Sequence, residues 1–288
     1  MDLECILAEI APNENQVNCL KGVVSTLGNI FKNSSGMLKI KKVIPAGSLS
    51  KNTILRDHLE VDCVYILEHN GYSYCNHLYE IQRCLKENLP TATGFHSKNH
   101  SVRFNIKRKI GNVSVDLLPA FEINSIEQIQ QVKNKDAYYG TTALFQREYF
   151  NNIKQYYNRF NDLVRLLKSW KETQNIPLSS YMLELIVANA VYNTKKGERF
   201  EFYFEVCFRT IQAFTDKRAI VPVLWGDHFD NSKIDCGYAN NNLYIIDPSD
   251  PTENLAKRIS NDDKDYIRGE AVKGINKLRK QKYSFLFE

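Results

Sequence analysis

The chain has 288 residues, 43% of them hydrophobic and 25% charged, with a net charge of +5. That length suits one large domain or two packed lobes with a sizeable core. No apolar run approaches the roughly 20 residues that cross a bilayer. Met1 to Cys5 lacks a signal-peptide pattern, and the seven cysteines are odd in number with no Cys-x-x-Cys spacing, as reduced thiols would be. A cytoplasmic protein with no membrane partner, monomeric or weakly oligomeric, is expected.

In chain order, Val17, Leu20, Val23, Val24, Leu27, Ile30 and Phe31 recur at helical spacing and predict an amphipathic helix ending near Asn33. Residues 39–46 read as a strand leading into a Gly-Ser turn, and 59–67 as a second strand. A helix is expected over 76–88, then strands over 101–109 and 111–119 joined by a tight turn at Gly111. The second half changes character. Ile153, Tyr157, Phe160, Val164, Leu167 and Trp170 form one long apolar stripe, and helices follow over 179–193 and 200–214. Short extended segments are expected at 219–225 and 243–247. Pro248 and Pro251 break structure before a terminal helix starting at Thr252 or Asn254. The fold class is therefore α+β, with domains 1–150 and 151–288 and the active-site cleft expected between them.

Gly47-Ser48 stands eleven residues ahead of Glu60-Val61-Asp62, and Val113-Ser114-Val115-Asp116 lies further on. Strand side chains alternate in face, so Glu60 and Asp62 point the same way, and Asp116 sits in a similar alternating run. Three clustered carboxylates repel one another unless cations stand between them. Two Mg²⁺ (or Mn²⁺) ions would clamp the attacking and leaving oxygens of a phosphoryl displacement. Gly47 allows close backbone approach, and Ser48 adds a hydroxyl to turn N–H groups facing a phosphate. Lys51 and Arg56 follow in the same loop. Lys168 lies between apolar Leu167 and Trp170, where an ammonium needs a partner or must snorkel. Asp247 and Asp250 read as structural turn residues. Arg103, Lys107, Arg108 and Lys109 read as solvated strand-end charges, and the basic excess over 257–282 as a solvated helix face. His69, Cys75, His77 and Cys84 match no zinc spacing.

Gly47-Ser48-Leu49-Ser50-Lys51 through Asp62 resembles the signature of the 2′-5′-oligoadenylate synthases. So do Val115-Asp116-Leu117-Leu118-Pro119-Ala120-Phe121, Leu166-Leu167-Lys168-Ser169-Trp170, Tyr181-Met182-Leu183-Glu184-Leu185 and Ile246-Asp247-Pro248-Ser249-Asp250-Pro251-Thr252. The chain is identified as a member of the oligoadenylate synthase and cyclic GMP-AMP synthase-like superfamily. Three departures stand out. Glu60 replaces an aspartate, Asn52 replaces a glycine, and the interval from Asp62 to Asp116 is short.

The resemblance implies a bilobal, polymerase-beta-like nucleotidyltransferase with an N-terminal spine helix and a helical C-terminal lobe. Glu60, Asp62 and Asp116 would hold the metals. Gly47, Ser48, Lys51 and Lys168 would bind triphosphate, with Ser180 and Tyr181 at the triphosphate and base. Substrates would be ATP, alone or with GTP, and the product a 2′-5′-linked oligonucleotide or cyclic dinucleotide of innate immune signalling. Double-stranded RNA or DNA is the expected activator, on a face built from the first helix, Lys39, Lys41, Lys42, Lys154 and Arg159. Two alternatives remain: a catalytically idle double-stranded RNA-binding protein and an RNA-extending nucleotidyltransferase.

Overall fold

The computed structural model describes residues 2–33, 40–67, 74–98, 101–121, 142–217, 219–220, 243–248 and 250–287. The chain divides into two units. One comprises Pro12–Glu148, the other Met1–Ala11 with Tyr149–Glu288.

The chain starts with a helix the sequence reading did not contain, α1 (Leu3–Ile10), capped by the Asp2 carboxylate accepting from the Cys5 N–H at 2.8 Å. Its Leu3, Ile6 and Leu7 are buried, and the Arg159 guanidinium holds its Glu4 at 2.6 and 3.0 Å. These contacts explain why the first eleven residues group with the C-terminal half rather than with the N-terminal domain expected for them.

In the unit 12–148, the amphipathic stripe forms α2 (Glu14–Asn33). It is followed by β1 (Ile40–Pro45), a single helical turn α3 (Gly47–Lys51), β2 (Glu60–Leu67), α4 (Tyr74–Asn88), β3 (Ala92–Lys98), β4 (Ser101–Arg108) and β5 (Gly111–Phe121). β3 was not expected. The five strands form one mixed sheet in the order β1-β2-β5-β4-β3, with β2 and β5 parallel and the other neighbours antiparallel.

Strand alternation gives this sheet two different faces. Val61, Cys63, Tyr65 and Leu67 of β2, Val102, Phe104 and Ile106 of β4, and Val113, Val115 and Leu117 of β5 pack one way. They meet Leu20, Val23, Leu27 and Phe31 of α2 and Ile81 and Leu85 of α4. The intervening residues face the other way. Ala46, Val64, Ile66 and Ala120 make a small apolar cluster there, and the same face carries Glu60, Asp62 and Asp116.

The boundary at 148/149 falls within α5 (Thr142–Lys154), and the C-terminal unit continues with α6 (Phe160–Thr173), α7 (Ser180–Tyr192) and α8 (Phe200–Lys217). Short strands β6 (Ala219–Ile220), β7 (Tyr244–Asp247) and β8 (Asp250–Asn254) follow, then α9 (Asn261–Arg279) and a 3-10 turn at Ser284–Leu286.

Two expectations are corrected here. The single stripe of 153–170 is broken into α5 and α6, because Tyr157 stacks on Tyr203 at 3.9 Å and the Arg159 guanidinium covers the Phe200 ring at 3.7 Å. These contacts take residues 155–159 out of the helix. The terminal helix starts later than Asn254, whose side chain instead bonds the Ile245 N–H and the Leu243 carbonyl and stitches β7 to the turn. Ser260 and Asp263 cap α9 reciprocally in a capping box. Its basic residues are largely paired, Arg268 with Asp216, Lys273 with Glu270 and Arg279 with Glu205.

Candidate active site

The carboxylates come together through register. Asp62 of β2 is directly opposite Asp116 of the parallel strand β5, and Glu60 lies opposite Ser114. The Ala46 N–H donates to the Asp62 carbonyl at 2.8 Å and fixes the Gly-Ser segment beside the acids. Gly47 has φ +52°, and a Cβ on it would stand 1.8 Å from Asp62 Oδ2. Only glycine fits there, because the backbone passes against the carboxylate. The segment after it is a helical turn rather than the open turn expected. Its Ser50 hydroxyl donates to the Gly47 carbonyl at 3.0 Å, and Asn52 ends it in the left-handed conformation at φ 57°. Asn can occupy that region at little cost, so the departure from glycine preserves the local geometry.

Arg103 lies opposite Asp116 on β4, and its Nη2 donates to Glu60 Oε1 at 3.0 Å and to Asp116 Oδ2 at 2.9 Å. Its reading as a solvated edge charge is therefore corrected. Its side chain alternates with core-facing Val102 and Phe104, so it shares the face of the acids, and that parity was available in the sequence.

The acids remain under-compensated. Asp116 Oδ1 is buried with no hydrogen-bond partner among the described residues. Burial, then the charges of Glu60 and Asp116, push the Asp62 carboxyl up from 3.8 to about 6, against the pull of Lys51 and Arg103. An all-oxygen donor set, a buried unpartnered carboxylate oxygen and a backbone turn that a Cβ would fill suit a hard divalent cation. As placed, the described residues hold no ready-made group of three ligating side chains, since Arg103 bridges two of the acids.

The other proposed contacts are distributed as follows. Lys51 is buried at 6% exposure, Ser48 is half-buried, and the Arg56 carbonyl accepts from Gln16. In the C-terminal unit, Lys168 is buried and its Nζ lies 3.0 Å from Glu184 Oε1. The partner its burial demands is thus supplied by the protein. Ser179, not Ser180, caps α7, accepting from the Met182 N–H at 3.2 Å. The Tyr181 hydroxyl donates to Asp247 Oδ1 at 3.0 Å, and its ring meets Phe150 edge-on. Burial, then Asp247, raises that hydroxyl well above its usual range. Asp247, read as a structural turn residue, is held by the Tyr181 hydroxyl. Lys41 and Lys42 are exposed on edge strand β1, and Arg159 is engaged by Glu4 and Asp162. Lys39 and His69 lie outside the described residues, as do the side chains of Cys75, His77 and Asp250.

Opposed aspartates on adjacent strands, a third acid two residues away and a Gly-Ser turn pressed against them form one compact acidic cluster, and the relatives that follow make the chain a nucleotidyltransferase. The model of the family "2′-5′-oligoadenylate synthetase 1, domain 2, C-terminus" matches residues 119–282, more than half of the chain, and the chain belongs to that family. It is 28% identical over 247 residues to the CBASS oligonucleotide cyclase CdnC of Escherichia coli, covering 80% of this chain and 74% of that protein. To 2′-5′-oligoadenylate synthase 1A of Rattus norvegicus it is 25% identical over 297 residues, covering 86% and 81%. Among solved structures, E. coli MS115-1 CdnC with ATP superposes with a TM-score of 0.76 at 20% identity, covering 100% of this chain and 95% of that one. The Cid1 poly(U) polymerase does so at 0.69 and 15%, covering 99% and 97%. At those identities the superpositions establish the fold. No described helix is long and apolar enough to cross a membrane.

Proposed function

We propose that this chain condenses nucleoside triphosphates, ATP alone or ATP with GTP, into a short 2′-5′-linked or cyclic oligonucleotide that serves as a second messenger in antiviral signalling. The observation that carries the reading is the register of Asp62 with Asp116 beside Glu60, with a buried unpartnered oxygen on Asp116. Membership of the oligoadenylate synthetase family favours a signalling product over extension of an RNA strand.

Glu60, Asp62 and Asp116 would hold divalent cations, Mg²⁺ or Mn²⁺. When bound, these neutralise charge on the reacting phosphate and on the leaving pyrophosphate. The chain's own groups do the rest. Gly47 and Ser48 cradle the triphosphate of the donor nucleotide. A ribose hydroxyl of the acceptor attacks the α-phosphorus, the bond from α-phosphorus to the bridging oxygen breaks, and pyrophosphate leaves with that electron pair. The hydroxyl proton passes to Asp116, whose Oδ1 has no competing donor. Arg103 must release Glu60 and Asp116 as the site loads. Lys168, freed from Glu184, would take a triphosphate oxygen, and Tyr181 would offer its ring to a base.

A duplex RNA or DNA activator would meet exposed Lys41 and Lys42 on β1, the strand that runs into the Gly-Ser turn. Phosphate contacts there would make activation steeply salt-dependent. The test is to incubate the protein with each labelled triphosphate, with and without Mg²⁺ and duplex, and to digest the products with a nuclease specific for 3′-5′ links. Nuclease-resistant short products are expected. Extension of an added RNA primer, or no product in any arm, would overturn the reading.

A further inference from the structure

The sheet face opposite the acids contains a second arrangement that catalysis does not use. On β4, Val102, Phe104 and Ile106 are fully buried against the helical core, and the next position in that alternating row is Arg108. An arginine therefore stands where the row calls for an apolar side chain. Its Nε and Nη2 are buried and have no hydrogen-bond partner among the described residues. Buried guanidinium nitrogens are nearly always paired, because stripping water from them without replacement is costly.

Arg108 lines a cavity of about 590 Å³ together with Asn15 and Cys19 near the start of α2 and Lys109 and Ile110 at the tip of the β4–β5 hairpin. The hairpin is tight: Arg108 pairs with Gly111, whose φ of +117° allows the reversal. Strand pairing thus fixes the Arg108 backbone beside the cavity. Arg103, which clamps the catalytic acids, lies on the other face of the same strand, so the two arginines serve separate sites.

We infer that this cavity binds a small organic phosphate. A guanidinium offers a planar fork of donors that matches a phosphate's oxygens, and Lys109 adds a second positive charge beside it. Ile110 and Cys19 supply an apolar wall for the body of the ligand, and the Asn15 amide a polar contact. A volume in this range accommodates a ligand of nucleotide size. On binding, the guanidinium turns toward the cavity and the ligand completes the hydrogen bonding that its Nε and Nη2 lack.

Cys19 reports occupancy, since it lines the cavity and is a free thiol, while free, exposed Cys5 serves as an internal control. The full chain is alkylated with iodoacetamide and the rate at each cysteine is followed by peptide mass spectrometry. The additions are adenosine 5′-monophosphate, inorganic phosphate or a short duplex RNA, against sodium chloride at equal ionic strength. At ten times its dissociation constant, the monophosphate should slow Cys19 alkylation about tenfold, inorganic phosphate less so, and Cys5 not at all. Arg108→Met should abolish this protection and melt at the same or a higher temperature than the wild type, because it removes an unpaired cation. If Arg108→Met fails to fold, Arg108→Lys, which keeps the charge but loses the fork, should weaken protection. Unprotected Cys19 at about 10 mM monophosphate, a concentration that saturates millimolar sites, would overturn the inference. So would protection that survives in the arginine variant, or protection by duplex RNA alone, which would assign the cavity to a nucleic-acid backbone.

Discussion

Lys168 and Arg103 both sit beside carboxylates, and their surroundings differ. Lys168 and Glu184 form an ion pair, both nearly inaccessible to water, on neighbouring helices α6 and α7. Arg103 instead bridges two of three acids in a partly exposed cluster where one carboxylate oxygen has no partner and another group holds its proton to about pH 6. The first arrangement is electrically closed. The second carries surplus negative charge that folding alone would not assemble. Surplus charge of one sign, held in place by backbone register, is what a site for cationic chemistry requires.

The sharpest test of that contrast is to neutralise an acid. Asp62→Asn or Asp116→Asn should reduce turnover by about 10²–10³-fold or more. Each also relieves repulsion, so melting temperature should hold or rise, and near wild-type turnover would break the assignment. The closed pair should respond in the opposite way. Glu184→Gln leaves Lys168 buried without its carboxylate and should cost about 3–5 kcal/mol in urea unfolding. Lys168→Met should cost a similar amount, while Lys168→Met with Glu184→Leu should recover most of it. If the double variant folds well yet binds ATP as tightly as the wild type, Lys168 has no role in the nucleotide site.

Gly47→Ala combines a left-handed backbone with a Cβ driven into Asp62, and should cost about 1–3 kcal/mol together with most of the activity. A stable, active alanine variant would show that the turn relaxes away from the acid. The last effect concerns pH. The Asp62 carboxyl has its pKa raised in the fold, so its contribution to stability is complete below pH 4 and is lost as pH rises through about 6. In chelator-treated protein, stability should therefore fall by about 3 kcal/mol across that window relative to Asp62→Asn. Parallel pH curves for the two proteins would contradict the burial of this charge.

Much of the architecture was legible in the sequence. The helical period of 17–31, the alternation through 60–67 and 111–119 and the glycine turns each depend on local chemistry, and the elements formed close to the expected bounds. What failed was set by contacts remote in sequence. Helix α1 is too short to be read from periodicity, and its stability derives from burial of Leu3 and Ile6 and from the ion pair of Glu4 with Arg159. Strand β3 has little alternation of its own and exists by pairing with β4. The break between α5 and α6 depends on Tyr203 and Phe200, more than forty residues away.

The candidate site divides in the same way. The sequence by itself determined which acids are present, that Glu60 and Asp62 share a face, and that a glycine precedes them, because strand period and residue type are local properties. Only the tertiary structure decided that Asp62 meets Asp116 across a parallel pair, that Arg103 stands between the acids, that Lys168 is matched by Glu184, and that Arg108 is left facing a cavity. Each of those depends on strand order and helix packing, which fix distances between residues that the chain itself leaves far apart.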